Sequence, residues 1–265
     1  MASRPIVFLS DYGLEDEFVG ICHGVISGIS PESRVIDLTH SVPPQNVLRG
    51  ATTLAESTGY MPPNAVYLAV VDPGVGSTRR AVVVETSSGA TLVGPDNGLL
   101  SIAWERLQGA VKAAEIKSDR VILQPVSKTF HGRDIFAPAA AHLSAGFDSS
   151  QVGPEVDVST LRRLQMRVPR VDDGSIVAEV TGVDRFGNVQ LNVRQEHISA
   201  AAMRDSIEVG GRRIPLVESF SMVAPDELAV VIDSHGWISL VVNRGHAASL
   251  LGLGEGSEVV ISRAG

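Results

Sequence analysis

Two aspartates stand at the ends of aliphatic runs. Asp11 follows IVFLS, and Asp72 follows VYLAVV, where it opens the turn VDPGVGSTRR that ends in Arg79 and Arg80. A third stretch, TFHGRDIFAP over 129–138, carries His131 and Arg133. One carboxylate at a strand end often does no more than cap the next turn. Two at the same edge of an open sheet are another matter, because ligands collect at the carboxyl ends of such strands. A carboxylate, a guanidinium and an imidazole at that edge can accept a proton and stabilise developing charge.

Other chemistries find less support. The DPGVG turn lacks the GxGxxG spacing of a phosphate cradle, and no GxxxxGK[ST] occurs. No GxSxG elbow presents a nucleophile. Cys22 is the only cysteine, so there is no intrachain disulfide and no thiolate cluster for zinc, and it reads as a small apolar residue on a buried helix face. His23, His40, His131 and the strand-end aspartates are potential metal ligands, but none shows the close pairing of HExxH, and no metal is assigned.

The elements that must position these residues follow from hydrophobic periodicity. In the first half, the runs IVFL (6–9), RVIDL (34–38), VYLAVV (66–71) and AVVVE (81–85) alternate with the helical patterns FVGICHGVISGI (18–29) and VLRGATTLAES (47–57). That alternation predicts an α/β domain around a mainly parallel sheet. TLVGPDNGLLSIAWERL (91–107) continues it, with Asn97 as the expected helix N-cap; VILQPV (121–126) reads as a further β-run, and a helix over 134–145 follows with Asp134 as its cap. A polar, proline-bearing texture then marks a connection over 161–172, dividing an N-terminal domain (1–160) from a C-terminal one (173–265). There, short β-patterned runs and the hairpin signal Gly210-Gly211 predict a small all-β barrel or sandwich.

Composition bounds the rest. The 265 residues are 44% hydrophobic, enough for a proper core, and the net charge of −8 without basic stripes argues against a nucleic-acid surface. No apolar run approaches the roughly 20 residues that cross a bilayer, and the opening MASRPIVFLSDYG is a poor signal peptide, so the expected location is cytoplasmic. In the second half, VDRFGNVQLN holds Asp184 and Asn188, and IDSHGWISL holds Ser234 and His235; by local pattern both are ordinary turns.

Taken together, SDYG, VDPGVGSTRR, GPDNGLL, TFHGRDIFAP, DRFGNVQLN and the closing VNRGHAASLLGL resemble, in the same order, the S-adenosylmethionine hydroxide adenosyltransferases, relatives of the enzymes that attach fluoride or chloride to the same substrate. The resemblance implies an α/β domain followed by a smaller β-barrel, and a homotrimer with active sites between subunits. The implied reaction is attack of water on C5′ of S-adenosyl-L-methionine, giving adenosine and L-methionine with no further cofactor. The family's catalytic aspartate, arginine and histidine map onto Asp72, Arg79 and His131, with Arg80 as the alternative arginine. Water has a pKa of about 15.7 and needs an acceptor for its proton; Asp72 or His131 supplies it, and Arg79 stabilises charge.

The same resemblance places Asp11 at the ribose, Asp16 and Asp184 at the amino acid, Asn188 and Phe220 at adenine, and Ser234 at the methionine carboxylate. His235 stands where the halogenating relatives have an arginine. Those relatives also carry other residues at the Asp72 and His131 positions, which favours water over chloride as nucleophile. A non-catalytic sensor of the same nucleoside would need the pocket but not the three catalytic groups, and a metal-dependent hydrolase built on Asp11, Asp72 and His131 would be silenced by a chelator.

Overall fold

The computed structural model describes residues 3–264. The chain divides between Leu164 and Gln165 into two compact units.

The first unit runs β1 (Ile6–Ser10), α1 (Phe18–Ile29), β2 (Val35–Thr39), α2 (Val47–Ser57), β3 (Val66–Val70), β4 (Ala81–Thr86), β5 (Thr91–Pro95), α3 (Ser101–Arg106), β6 (Ala110–Glu115), α4 (Ala137–Ser144) and β7 (Glu155–Val156). Its sheet has the order β2-β1-β3-β5-β4-β6-β7. The half containing β2, β1, β3 and β5 is parallel. Beyond it β4, β6 and β7 pair antiparallel, making the sheet mixed. The reason is local: residues 87–90 alone join β4 to β5, and a parallel crossover needs a dozen or more.

β1, β3 and β5 are buried at every position, as uninterrupted aliphatic runs covered on both faces must be. Alternate side chains face opposite layers. Val7, Leu9, Tyr67 and Ala69 pack with Leu54 of α2 and Trp104 of α3. Ile6, Phe8, Val66 and Leu68 pack with Cys22 and Ile26 of α1 and the alanines of α4. Cys22 is fully buried, and burial pushes its thiol up to about 12, consistent with a packing residue.

Three local expectations change. Residues 121–126 form no strand but an irregular, bent segment, with Val121 N donating to Ser118 O and Leu123 N to Asp134 O; those bonds, and Pro125 with no N–H, leave no ladder to build. Asn97 does not cap α3, whose N-cap is Leu100 with no side-chain bond. Its Oδ1 accepts from Leu99 N and its Nδ2 donates to Val71 O, tying that turn to the end of β3. Asp134 is likewise no cap, for it lies inside a π-helical turn, Gly132–Phe136, that precedes α4 and has His131 at its N-cap position.

The second unit is β8 (Arg170–Asp172), β9 (Ser175–Val183), β10 (Val189–Arg194), α5 (Gln195–Ala200), β11 (Ser206–Val209), β12 (Arg212–Pro215), β13 (Leu228–Ile232), β14 (Trp237–Val242), α6 (Ala247–Leu251) and β15 (Glu258–Arg263). Its antiparallel sheet has the order β12-β11-β15-β9-β10-β14-β13, with β8 added on β9. A bridge from Leu216 to Val230 draws the chain after β12 beside β13, so the sheet nearly closes into a barrel. Alternate residues of β9 point into its core. Gly210 and Gly211, at φ +57° and +73°, form the β11–β12 turn as the hairpin signal requires. Among the described residues, no helix of either unit is long and apolar enough to cross a membrane.

Candidate active site

Asp72 lies two residues beyond β3, and the turn after it folds back on itself. Asp72 O accepts from Val75 N, and Gly74 O accepts from both Ser77 N and Ser77 Oγ. The turn returns Arg79 to its own starting point. Arg79 Nε donates to both Asp72 oxygens at 3.0 Å, and Nη2 donates to Oδ2. The pair is largely shielded, with side-chain exposures of 10% for Arg79 and 6% for Asp72. Arg79 also lies over the ring of the buried Phe136, 5.0 Å from its centroid.

His131 arrives from the second loop. Arg79 Nη2 donates to its Nδ1 at 2.8 Å, and since a guanidinium can only donate, Nδ1 is the acceptor there. The neutral imidazole therefore carries its proton on Nε2. Burial and the neighbouring Arg79 charge hold His131 below the usual histidine range, so it is neutral at pH 7. Its loop is fixed by Asp134, 2% exposed, whose Oδ2 accepts from Ser127 N at 2.8 Å while Arg133 Nε donates to Oδ1 at 2.6 Å. Ser127 Oγ in turn accepts from Phe130 N.

The two loops touch at Gly76. Its φ is +75°, and a Cβ there would sit 2.4 Å from the carbonyl oxygen of Lys128. Only glycine lets the backbones approach this closely.

Asp11, Tyr12, Gln45, Asp72, Val75 and His131 line a cleft of about 270 Å³ at this edge of the sheet. Asp11 Oδ2 accepts from Gln45 N at 2.8 Å, and burial raises its carboxyl above the usual range. Gln45 presents that N–H from a left-handed conformation, φ +64°. Burial pushes the Tyr12 phenol well up, which keeps it a hydroxyl. Sequence reasoning missed Tyr12 and Gln45; the available signals were the neighbour of Asp11 in SDYG and the proline turn before Gln45.

Arg80 turns elsewhere. Its Nε and Nη2 donate to Asp96 Oδ2 at 2.9 and 2.6 Å, and Nη1 donates to Thr160 Oγ1 at 3.0 Å. Asp16 sits exposed ahead of α1 and does not line the cleft.

In the second unit, the Asp184 Oδ1 accepts from Phe186 N and Asn188 N, and Oδ2 accepts from Asn188 Nδ2 at 2.7 Å. Phe220 is half exposed on a short 3₁₀ turn. Ser234 and His235 occupy the β13–β14 turn, which Asp233 organises by accepting from His235 N and Trp237 N. Arg194 lies over the Trp237 ring, 3.6 Å from its centroid, and donates to His235 O at 3.4 Å. A guanidinium therefore stands at the turn where the sequence shows only His235.

Residues 6–153 match the family model of the SAM hydroxide adenosyltransferase N-terminal domain, and residues 178–260 match that of its C-terminal domain. The chain is 46% identical to the (R)-S-adenosyl-L-methionine hydrolase of Salinispora tropica, with 99% of each chain covered. It is 28% identical to the fluorinase of Actinopolyspora mzabensis over 98% of each. A crystal structure of an uncharacterized conserved protein from Thermotoga maritima superposes with a TM-score of 0.90 at 37% identity, covering 97% of this chain and 100% of that one.

The loop contact predicts the outcome of Gly76→Ala. Left-handed strain costs about 1–2 kcal/mol in a denaturant titration, and the new methyl group drives the Lys128 carbonyl away. Loosening Arg79 from His131 raises the His131 pKa toward its ordinary value, as an NMR titration of the imidazole reads directly.

Proposed function

Because this chain belongs to the SAM hydroxide adenosyltransferase family, we infer that it hydrolyses S-adenosyl-L-methionine to adenosine and L-methionine. The observation that carries the catalytic reading is Arg79 joined at once to Asp72 and to Nδ1 of His131, two residues that line a cleft together with Asp11.

The water oxygen forms a bond to C5′ as the C5′–sulfur bond breaks. Sulfur leaves with the bonding electrons as the neutral thioether of methionine, and the water proton passes to the protein. His131 gives Nδ1 to Arg79 and keeps its proton on Nε2, so it donates to the water oxygen and orients it. Asp72 is then the proton acceptor, and Arg79 steadies the carboxylate before transfer and the developing hydroxide during it. Tyr12 stays a donor in the cleft wall.

The same charges weigh against halide. Two carboxylates, Asp11 and Asp72, line the cleft: they attract a substrate bearing sulfonium and ammonium groups and repel an anionic nucleophile. Asp11 takes the ribose, with its other oxygen held by Gln45 N. A cleft of about 270 Å³ is small for the whole substrate. Asp16, Asp184, Asn188, Phe220, Ser234 and His235 hold the adenine and methionine groups at the subunit interfaces of a homotrimer. Arg194 supports the methionine carboxylate beside His235.

The test is turnover in ¹⁸O water, with and without chloride, using both sulfonium epimers because the Salinispora tropica relative is named for the (R) form. Label in the 5′ hydroxyl of adenosine is expected; 5′-chloro-adenosine or no product overturns the reading. Asp72→Asn is expected to lower kcat by about 10²–10⁴-fold with a much smaller change in substrate Kd by calorimetry. A loss confined to Kd would move Asp72 out of the chemical step.

The pH profile has a defined sign. Below its lowered pKa, His131 is protonated, Nδ1 no longer accepts from Arg79, and the water-orienting arrangement is lost. Rate therefore stays flat as pH falls through about 6.5, the ordinary histidine value, and declines only at lower pH. A midpoint above that value contradicts the assignment.

A further inference from the structure

The fold assembles a second cluster of ligating side chains outside the cleft. His23 on α1, Asp37 on β2 and His40 just beyond it bring one donor atom each within 4.8 Å of one another. His23 Nε2 lies 2.9 Å from Asp37 Oδ1, and His40 Nε2 lies 3.0 Å from the same oxygen. We propose that these three side chains bind a first-row divalent cation of the zinc class, as a site separate from the hydrolytic centre.

Four observations support it. Two imidazoles and a carboxylate are the borderline donor set that such cations select. The two donor spacings to Asp37, 2.9 and 3.0 Å, are close to the edge of a tetrahedron with metal bonds of about 2.0–2.1 Å, which is about 3.3 Å, and all three donors lie within 4.8 Å of one another, so a cation enters by modest side-chain movement. The imidazoles are held in place: Phe8 packs edge-on to His40 with centroids 4.6 Å apart, and lies 6.1 Å from His23. His40 is also fixed at its other nitrogen, Nδ1, by Ser10 Oγ at 2.8 Å.

That last contact is the outer-shell bond that metal-bound histidines characteristically make. With a cation on Nε2, His40 carries its proton on Nδ1 and donates it to Ser10 Oγ, which has lone pairs both for that donor and for Tyr12 N–H. The entry path is open. The His40 side chain is 3% exposed and forms the floor, while His23 and Asp37, at 33% and 44%, face solvent and leave the fourth position to water. Bound there, the cation would cross-link α1 to the edge strand β2. It would also stiffen the loop carrying Asp11, because His40 O accepts from Gly13 N.

The experiment is isothermal titration of tag-free, chelator-treated protein with zinc chloride, with cobalt(II) absorption to report the ligands. One cation per chain is expected, accompanied by a rise of several degrees in the unfolding midpoint. His23→Ala, at an exposed position, removes binding and the thermal shift while leaving adenosine formation unchanged. Asp37→Asn removes binding as well, and Ser10→Ala weakens it by about 10–100-fold. Absence of binding to the wild-type protein, or affinity unchanged in both His23→Ala and Asp37→Asn, overturns the proposal.

Discussion

The guanidinium of Arg79 is the group on which this edge of the sheet depends. It neutralises a carboxylate that is almost wholly shielded from water, and it occupies one nitrogen of a half-buried imidazole. Removing one partner of such a shielded pair leaves the other charge uncompensated at a cost of about 3–5 kcal/mol. The bidentate fork also fixes the plane of the Asp72 carboxylate, which a lysine ammonium, a point charge on a flexible stem, would not do.

The fold makes that arrangement affordable by rigid support on every side. β3 is buried along its length and ends two residues before Asp72, so the carboxylate leaves a strand that cannot shift without disturbing both core layers. Phe136 backs the guanidinium, and Asp134 draws Ser127 against the π-helical turn that presents His131. A π-helical turn is uncommon and is found most often at functional sites, where its extra residue per turn re-aims a side chain.

Much of this was legible in the sequence because it is written in short-range patterns. Aliphatic runs ending in aspartate located the carboxyl edge, and the glycine pair at 210–211 located a hairpin. The antiparallel half of the sheet was less visible: it turns on the length of the β4–β5 connection, which apolar periodicity does not register. VILQPV has the composition of a strand, yet its backbone bonds go to a turn and to Asp134, a partner that lies far along the chain. The different partners of Arg79 and Arg80 were not legible, since adjacent residues on a tight turn diverge and only the structure shows Arg80 held by Asp96. Asp37 drew no notice, because it sits inside an aliphatic β-run, and although His40 is three residues on, the second partner, His23, is 14 residues away on another element.

The close approach of Gly76 to the Lys128 carbonyl bears on how such an enzyme can diversify. The loops over 72–80 and 127–133 are in contact through backbone, and a change of length or bulk in one displaces the side chains carried by the other. They form a single inheritable cassette. Recombination that exchanges both together keeps the fit at Gly76 and the bond from Arg79 to His131, whereas swapping either alone breaks the match between them.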